Sequence, residues 1–166
     1  MFLIGENVQR KLIIFVYSAG TLLLVTAIAK FISAGGSARI LQNSDPILAV
    51  PFRYVFWVVG VLELAVALVC FFGRRLWLQA GLIAWLTSNF IVYRFGLLWV
   101  GYHEPCHCLG SLTDALHIPP QTADAAMKII LAYLWTGSYG ALFWLWKEKR
   151  KVPPAASSSE ASVSTT

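Results

Sequence analysis

Between residues 102 and 110 the chain reads Tyr102-His103-Glu104-Pro105-Cys106-His107-Cys108-Leu109-Gly110, and the two cysteines, one residue apart, are the groups best suited to chemistry. A thiolate is a nucleophile and a metal ligand alike. A disulfide between residues two apart closes a tight ring, and strain of that kind makes the bond easier to reduce. So short a loop also removes little freedom from the unfolded chain, so the bond would stabilise little. Both arguments favour exchange over stapling. The same stretch carries a second chemistry, because His103, Cys106, His107 and Cys108 offer imidazole and thiolate ligands that suit zinc or copper(I), with His117 further along. Their spacing departs from that of common structural zinc sites, which use wider C-x₂₋₄-C pairs in two separated halves. An inert loop is the third reading, in which His103 and His107 are ordinary loop residues.

The elements that must position this loop follow from composition. Of 166 residues, 58% are hydrophobic and 13% charged, whereas a soluble domain carries about a quarter charged residues. Apolar stretches near or above the ~20 residues needed to cross a bilayer recur four times. The expected architecture is all-α: an integral membrane four-helix bundle over residues 1–151, with spans at about 11–34, 51–72, 76–101 and 123–146. Gly35-Gly36-Ser37 closes the first span, Pro51 suits the first turn of the second, and Gly73-Arg74-Arg75 makes a tight hairpin before the third. No convincing A-x-A-like cleavage site follows the first apolar run, so that span is expected to stay as an uncleaved anchor. Residues 152–166, which contain Pro153-Pro154 and then mostly Ser, Ala and Thr, read as a disordered cytoplasmic tail.

Orientation follows from the cations, since short loops rich in Lys and Arg stay in the cytoplasm. Arg10, Lys11, Arg74, Arg75, Lys147, Lys149, Arg150 and Lys151 fall on one side, against Arg39 on the other. Both termini are therefore expected inside and the Cys-x-Cys loop outside, facing the periplasm or cell exterior, where disulfides persist. Trp77, Trp99, Tyr102, Trp144 and Trp146 near span ends fit interfacial belts. The net charge of +5 is read as topology, because no basic stripe with interleaved aromatics points to nucleic acid. Ser111-Leu112-Thr113-Asp114 has a capping-box-like form and predicts a short interfacial helix to about His117, stopped by Pro119-Pro120. Its plain alternative is a local turn.

Charges inside lipid-crossing segments are costly, so each is a functional candidate. Counting ~1.5 Å per residue places Lys30, Arg53 and Arg94 in one outer layer beneath the cysteine loop, with Glu63 and Asn89 deeper. Three cations there would favour thiolate or hold an anion. The structural alternatives are snorkelling of Lys30 and Arg53 to headgroups, and interhelical ion pairing for Glu63 and Arg94. Tyr93 and Asn89 give the third span a polar face suited to packing. Cys70, among Val69, Phe71 and Phe72, reads as a small core hydrophobe remote from the outer pair.

Ala29-Lys30-Phe31, Glu63-Leu64 and, most specifically, Pro105-Cys106-His107-Cys108-Leu109-Gly110 give the chain, over about 11–146, a resemblance to small four-helix membrane proteins of the DoxX-like class. Within that class it resembles the methylamine-utilisation MauE family, with Leu109 where Phe is frequent. The resemblance implies an inner-membrane bundle. MauE-type proteins are associated with maturation of a periplasmic, disulfide-rich enzyme subunit, and other DoxX-like members with quinone-linked thiol or sulfur oxidation. By resemblance, Cys106 and Cys108 are the redox pair and Glu63 is the family's intramembrane acid.

The preferred expectation is a thiol/disulfide redox protein. Cys106 and Cys108 exchange electrons with a periplasmic thiol partner, His107, Arg94 and Glu63 support them, and a quinone or another membrane carrier is the candidate acceptor. The rival is a non-enzymatic membrane subunit or scaffold whose outer loop docks a periplasmic partner, and the metal-binding loop is a further variant. A small transporter is disfavoured by the lack of a pair of broken helices.

Overall fold

A backbone with no water to bond must bond to itself, and each of the four apolar runs does so as a single α-helix. The computed structural model describes residues 6–35, 50–101 and 119–150. They form α1 (Glu6–Gly35), α2 (Phe52–Phe72), α3 (Leu76–Trp99) and α4 (Pro120–Arg150). All four are long and apolar enough to cross a membrane. The shortest, α2, has 21 residues and measures about 31 Å, close to the hydrocarbon thickness. The segments 36–49 and 102–118 and the tail from 151 lie outside the described residues, and with them the Cys-x-Cys loop, the Ser111 to His117 helix and the proposed disordered tail.

Helix ends differ from the sequence reading in instructive ways. Proline lacks the N–H that a first turn leaves unbonded, so α4 begins at Pro120 itself, with the Pro119 carbonyl accepting from the Thr122 and Ala123 amides at 2.9 and 3.2 Å. Pro51 stands one residue before α2 and accepts from the Tyr54 amide at 3.0 Å. At the far end of α3, Gly101 takes φ +77°, a left-handed conformation that suits glycine and turns the chain out of the helix.

Consecutive helices run antiparallel, as Lys30–Glu63 with Gly20–Cys70, and Arg94–Asp124 with Lys149–Trp77, require. One end of the bundle holds Gly35, Phe52, Trp99 and Pro120; the other, the hairpin end, holds Gly73-Arg74-Arg75 and the C-terminus of α4. The closest packing joins α1 to α2 and α3 to α4. Small residues allow it: Ala19, Ala27 and Ala67 are fully buried, and Gly20 lets Cys70 approach. The core is built from Val16, Leu23, Val66, Cys70, Ile83, Leu86 and Leu134. Buried hydroxyls turn back on their own helices, Thr87 donating to the Ile83 carbonyl at 2.8 Å and Ser33 to that of Ala29 at 2.7 Å. Large apolar side chains such as Trp57, Trp85, Val92 and Phe143 stay exposed on the outer surface, as a lipid-facing perimeter needs.

The hairpin is fastened by Gln79, buried in α3, whose amide nitrogen lies 3.1, 3.2 and 2.9 Å from the carbonyls of Val69, Cys70 and Gly73. These include carbonyls that a helix C-terminus leaves without partners. Gly73 is required there, because a Cβ would strike the Val69 carbonyl.

The two helix pairs meet where Phe15 of α1 lies over Gly137 of α4. A Cβ at Gly137 would lie 2.7 Å from Phe15 Cζ and nearer still to Cε2, while the ring is held edge-on by Tyr133 at 5.6 Å. Gly137→Ala is expected to lower stability by about 1–3 kcal/mol through overpacking. Gly140→Ala, with no atom within 4 Å of the new Cβ, is expected to leave it unchanged or raise it slightly, since alanine favours the helix. Thermal midpoints of the purified variants in detergent check both, and equal midpoints for the two would contradict this packing.

Candidate functional site

Lys30 lies late in α1 within Ala27, Ala29, Ser33 and Ala34, small residues that bring α2 close enough for a side chain to cross. Its Nζ donates to both oxygens of Glu63, at 2.8 and 2.9 Å, and the two residues are only 6% and 2% exposed. Gly60, one turn before Glu63, admits the Phe31 ring, which packs on Trp57 at 5.1 Å. From α3, the Phe90 ring sits 6.0 Å from Nζ, and Thr26 adjoins the carboxylate while donating to the Leu23 carbonyl at 3.0 Å. Lys30 therefore does not snorkel outward. Taking two charges out of water costs several kcal/mol each, and only the pairing offsets it. Chemically this is a proton donor and a proton acceptor held in contact deep in the bundle.

The second charge centre lies on the other helix pair. Arg94 of α3 pairs with Asp124 of α4, and Lys128, one turn further along α4, reaches the other Asp124 oxygen at 2.8 Å. Arg94 and Asp124 are partly buried, whereas Lys128 is largely exposed. Arg94 is about two turns below Gly101, and Asp124 about one turn past Pro120. The cluster thus ties α3 to α4 just beneath the two stems of segment 102–118.

These pairings correct the sequence reading of the polar residues. Lys30, Arg53 and Arg94 do not form a shared cationic layer: Lys30 is neutralised by Glu63, Arg94 by Asp124, and Arg53 Nε donates to the Ala34 carbonyl at 3.0 Å, covering the C-terminus of α1. Glu63 and Arg94 each pair across helices, but not with each other. Asn89 does not share the interior with Glu63, because it is exposed and donates to the Trp85 carbonyl of its own helix at 2.7 Å. Cys70 is buried toward the hairpin end against Gly20, an inert position for a thiol.

Cys106, His107 and Cys108, and the alternative metal ligands with His103, lie outside the described residues. Among the described residues no three His, Cys, Asp or Glu side chains are placed to hold a metal ion. Sequence reasoning missed Gln79, and it did not see Lys128 as a partner of Asp124. The i,i+4 spacing of Asp124 and Lys128 was a usable signal, whereas nothing local marks Gln79 as a cap.

A protein-family model described as "Methylamine utilisation protein MauE" matches residues 9–147, which takes in nearly all of α1, the other helices and the segment carrying Cys106 and Cys108. No curated protein and no solved structure matches the chain.

Proposed function

Because the chain belongs to the MauE family, we propose that it is an inner-membrane thiol/disulfide redox protein that serves methylamine utilisation by maturing a disulfide-containing periplasmic client. The supporting observation is the Arg94–Asp124–Lys128 cluster, which fastens together the two helices whose connecting segment carries Cys106 and Cys108. A redox pair on a loop needs stems that do not splay as partners dock. Cations gathered at the hairpin end, Arg74, Arg75, Lys147, Lys149 and Arg150 among them, support an orientation with that end in the cytoplasm and the cysteines outside.

In this reading a client thiolate attacks one sulfur of the Cys106–Cys108 disulfide, forming a mixed disulfide and releasing the other cysteine as thiolate. A second client thiolate then attacks the mixed bond. The client leaves as a disulfide, having lost two electrons and two protons, and Cys106 and Cys108 remain as a dithiol. Two electrons and two protons from the Cys106 and Cys108 dithiol would pass to a lipid-soluble quinone as second substrate, re-forming the Cys106–Cys108 disulfide and releasing quinol, as the resemblance to DoxX-like proteins implies. His107, between the cysteines, is the nearest base in sequence, and Arg94 and Glu63 act from the bundle as supports.

Thiol trapping in intact cells with a membrane-impermeant alkylating reagent tests this. Labelling of Cys106 and Cys108 that requires prior reduction is expected. Full labelling without reduction would remove the redox step and leave a docking subunit or a metal-binding loop, and no labelling after reduction would contradict the orientation.

A further inference from the structure

The hairpin end concentrates charge in a way that helix packing does not require. Arg74 and Arg75 are exposed in the turn before α3, and Lys147, Lys149 and Arg150 are exposed on the last turn of α4. The two groups are neighbours in space, since Lys149 Nζ lies 5.2 Å from the Trp77 ring centroid, and Trp77 is two residues past Arg75. Among the described residues of the α2–α3 turn and the last turn of α4, these cations are faced by one acid, Glu148. The first turn of α3 also contains no acidic residue, so its positive dipole end adds to the same field.

Directly below the cations the surface turns apolar. Trp77, Leu78, Phe143 and Trp146 are each roughly half exposed or more. Arg150 stands over Trp146, its guanidinium carbon 3.7 Å from the ring centroid, and a guanidinium has five N–H donors to offer an acceptor. A cationic crown over apolar walls matches a phosphodiester that carries acyl chains, whereas a free phosphate would have no use for the walls.

We infer that the α2–α3 turn and the C-terminal turn of α4 form a binding site for one anionic phospholipid, its phosphate among Arg74, Arg75, Lys149 and Arg150 and its chains along Trp77, Phe143 and Trp146. Each basic side chain near an anionic headgroup strengthens the attraction, and guanidinium binds phosphate in a paired geometry that a lone ammonium does not offer. The site stands apart from the cysteine segment at the opposite end of the bundle, so it survives or fails independently of the redox reading.

Native mass spectrometry of the full chain, released from mixed phosphatidylglycerol and phosphatidylcholine, tests the inference. Selective retention of phosphatidylglycerol is expected. Arg75→Gln combined with Lys149→Gln is expected to weaken that retention on the order of thirtyfold. Arg10→Gln with Lys11→Gln, which removes the same charge elsewhere on the chain, should leave it intact. All four positions are exposed, and an unchanged thermal midpoint in phosphatidylcholine confirms that the variants fold. Equal retention of the two lipids, or equal loss from both double variants, would overturn a defined site in favour of diffuse attraction. Displacement by soluble glycerol phosphate would overturn the lipid assignment.

Discussion

Glu63→Leu, with Lys30 retained, is expected to destabilise the protein by about 3–5 kcal/mol, because it leaves an ammonium group buried without its counter-charge. Lys30→Met has a similar expected cost, with the carboxylate now unpaired. The double variant, Lys30→Met with Glu63→Leu, should recover most of the loss, since two apolar side chains of comparable volume avoid the desolvation that the ion pair offsets. Unfolding of the four proteins in mixed detergent micelles gives the cycle directly. Single variants within about 0.5 kcal/mol of the parent would show that the pair is not buried as a salt bridge. The double variant also separates structure from function. If it regains stability yet fails to support client oxidation, the pair does more than hold α1 to α2.

Cys106→Ser with Cys108→Ser is expected to abolish oxidation of the periplasmic client completely, since without both sulfurs no disulfide exists to exchange. The single variants should differ. One of them retains the sulfur that bonds the client and lacks the one that resolves it, so it should accumulate a mixed disulfide visible on a non-reducing gel. Stability should hardly change in any of the three, because so short a ring constrains the unfolded chain little. An unchanged redox state of every periplasmic partner in the double variant would falsify the redox proposal and return the loop to a docking role. Serine in place of both cysteines also removes the thiolate ligands, so metal content measured before and after the substitution distinguishes the metal-binding alternative.

The membrane architecture was legible because lipid imposes a coarse demand. A run of about 20 apolar residues has almost no option but a spanning helix, and the apolar stretches ending near Ala34, Phe72, Gly101 and Trp146 became α1 to α4. The breaker before α3 was readable for a similar reason, since Gly73-Arg74-Arg75 joins a residue without a Cβ to two cations that resist burial. The Cys-x-Cys motif stands out in the sequence as a candidate because it is local: both groups lie within three residues. Boundaries were less secure. The first turn of α4 begins at Pro120, before the apolar stretch, because proline tolerates that position and lipid does not have to cover it.

Which charges meet was decided only in three dimensions. Lys30 and Glu63 are 33 residues apart and Arg94 and Asp124 are 30 apart, and no spacing rule connects residues on separate helices. Counting along the axis gives height in the bilayer but not rotation about it. Rotation placed Asn89 on the outside of α3 and turned Lys30 inward, neither of which height could decide. It is set by the fit of Phe31 over Gly60, of Cys70 against Gly20 and of Phe15 over Gly137, contacts between small and large residues on different helices. The sequence by itself therefore determined that this protein is a bundle of membrane-crossing helices with a paired thiol motif between the last two. The tertiary structure alone decided the partner of each buried charge, because that depends on how the helix faces interlock.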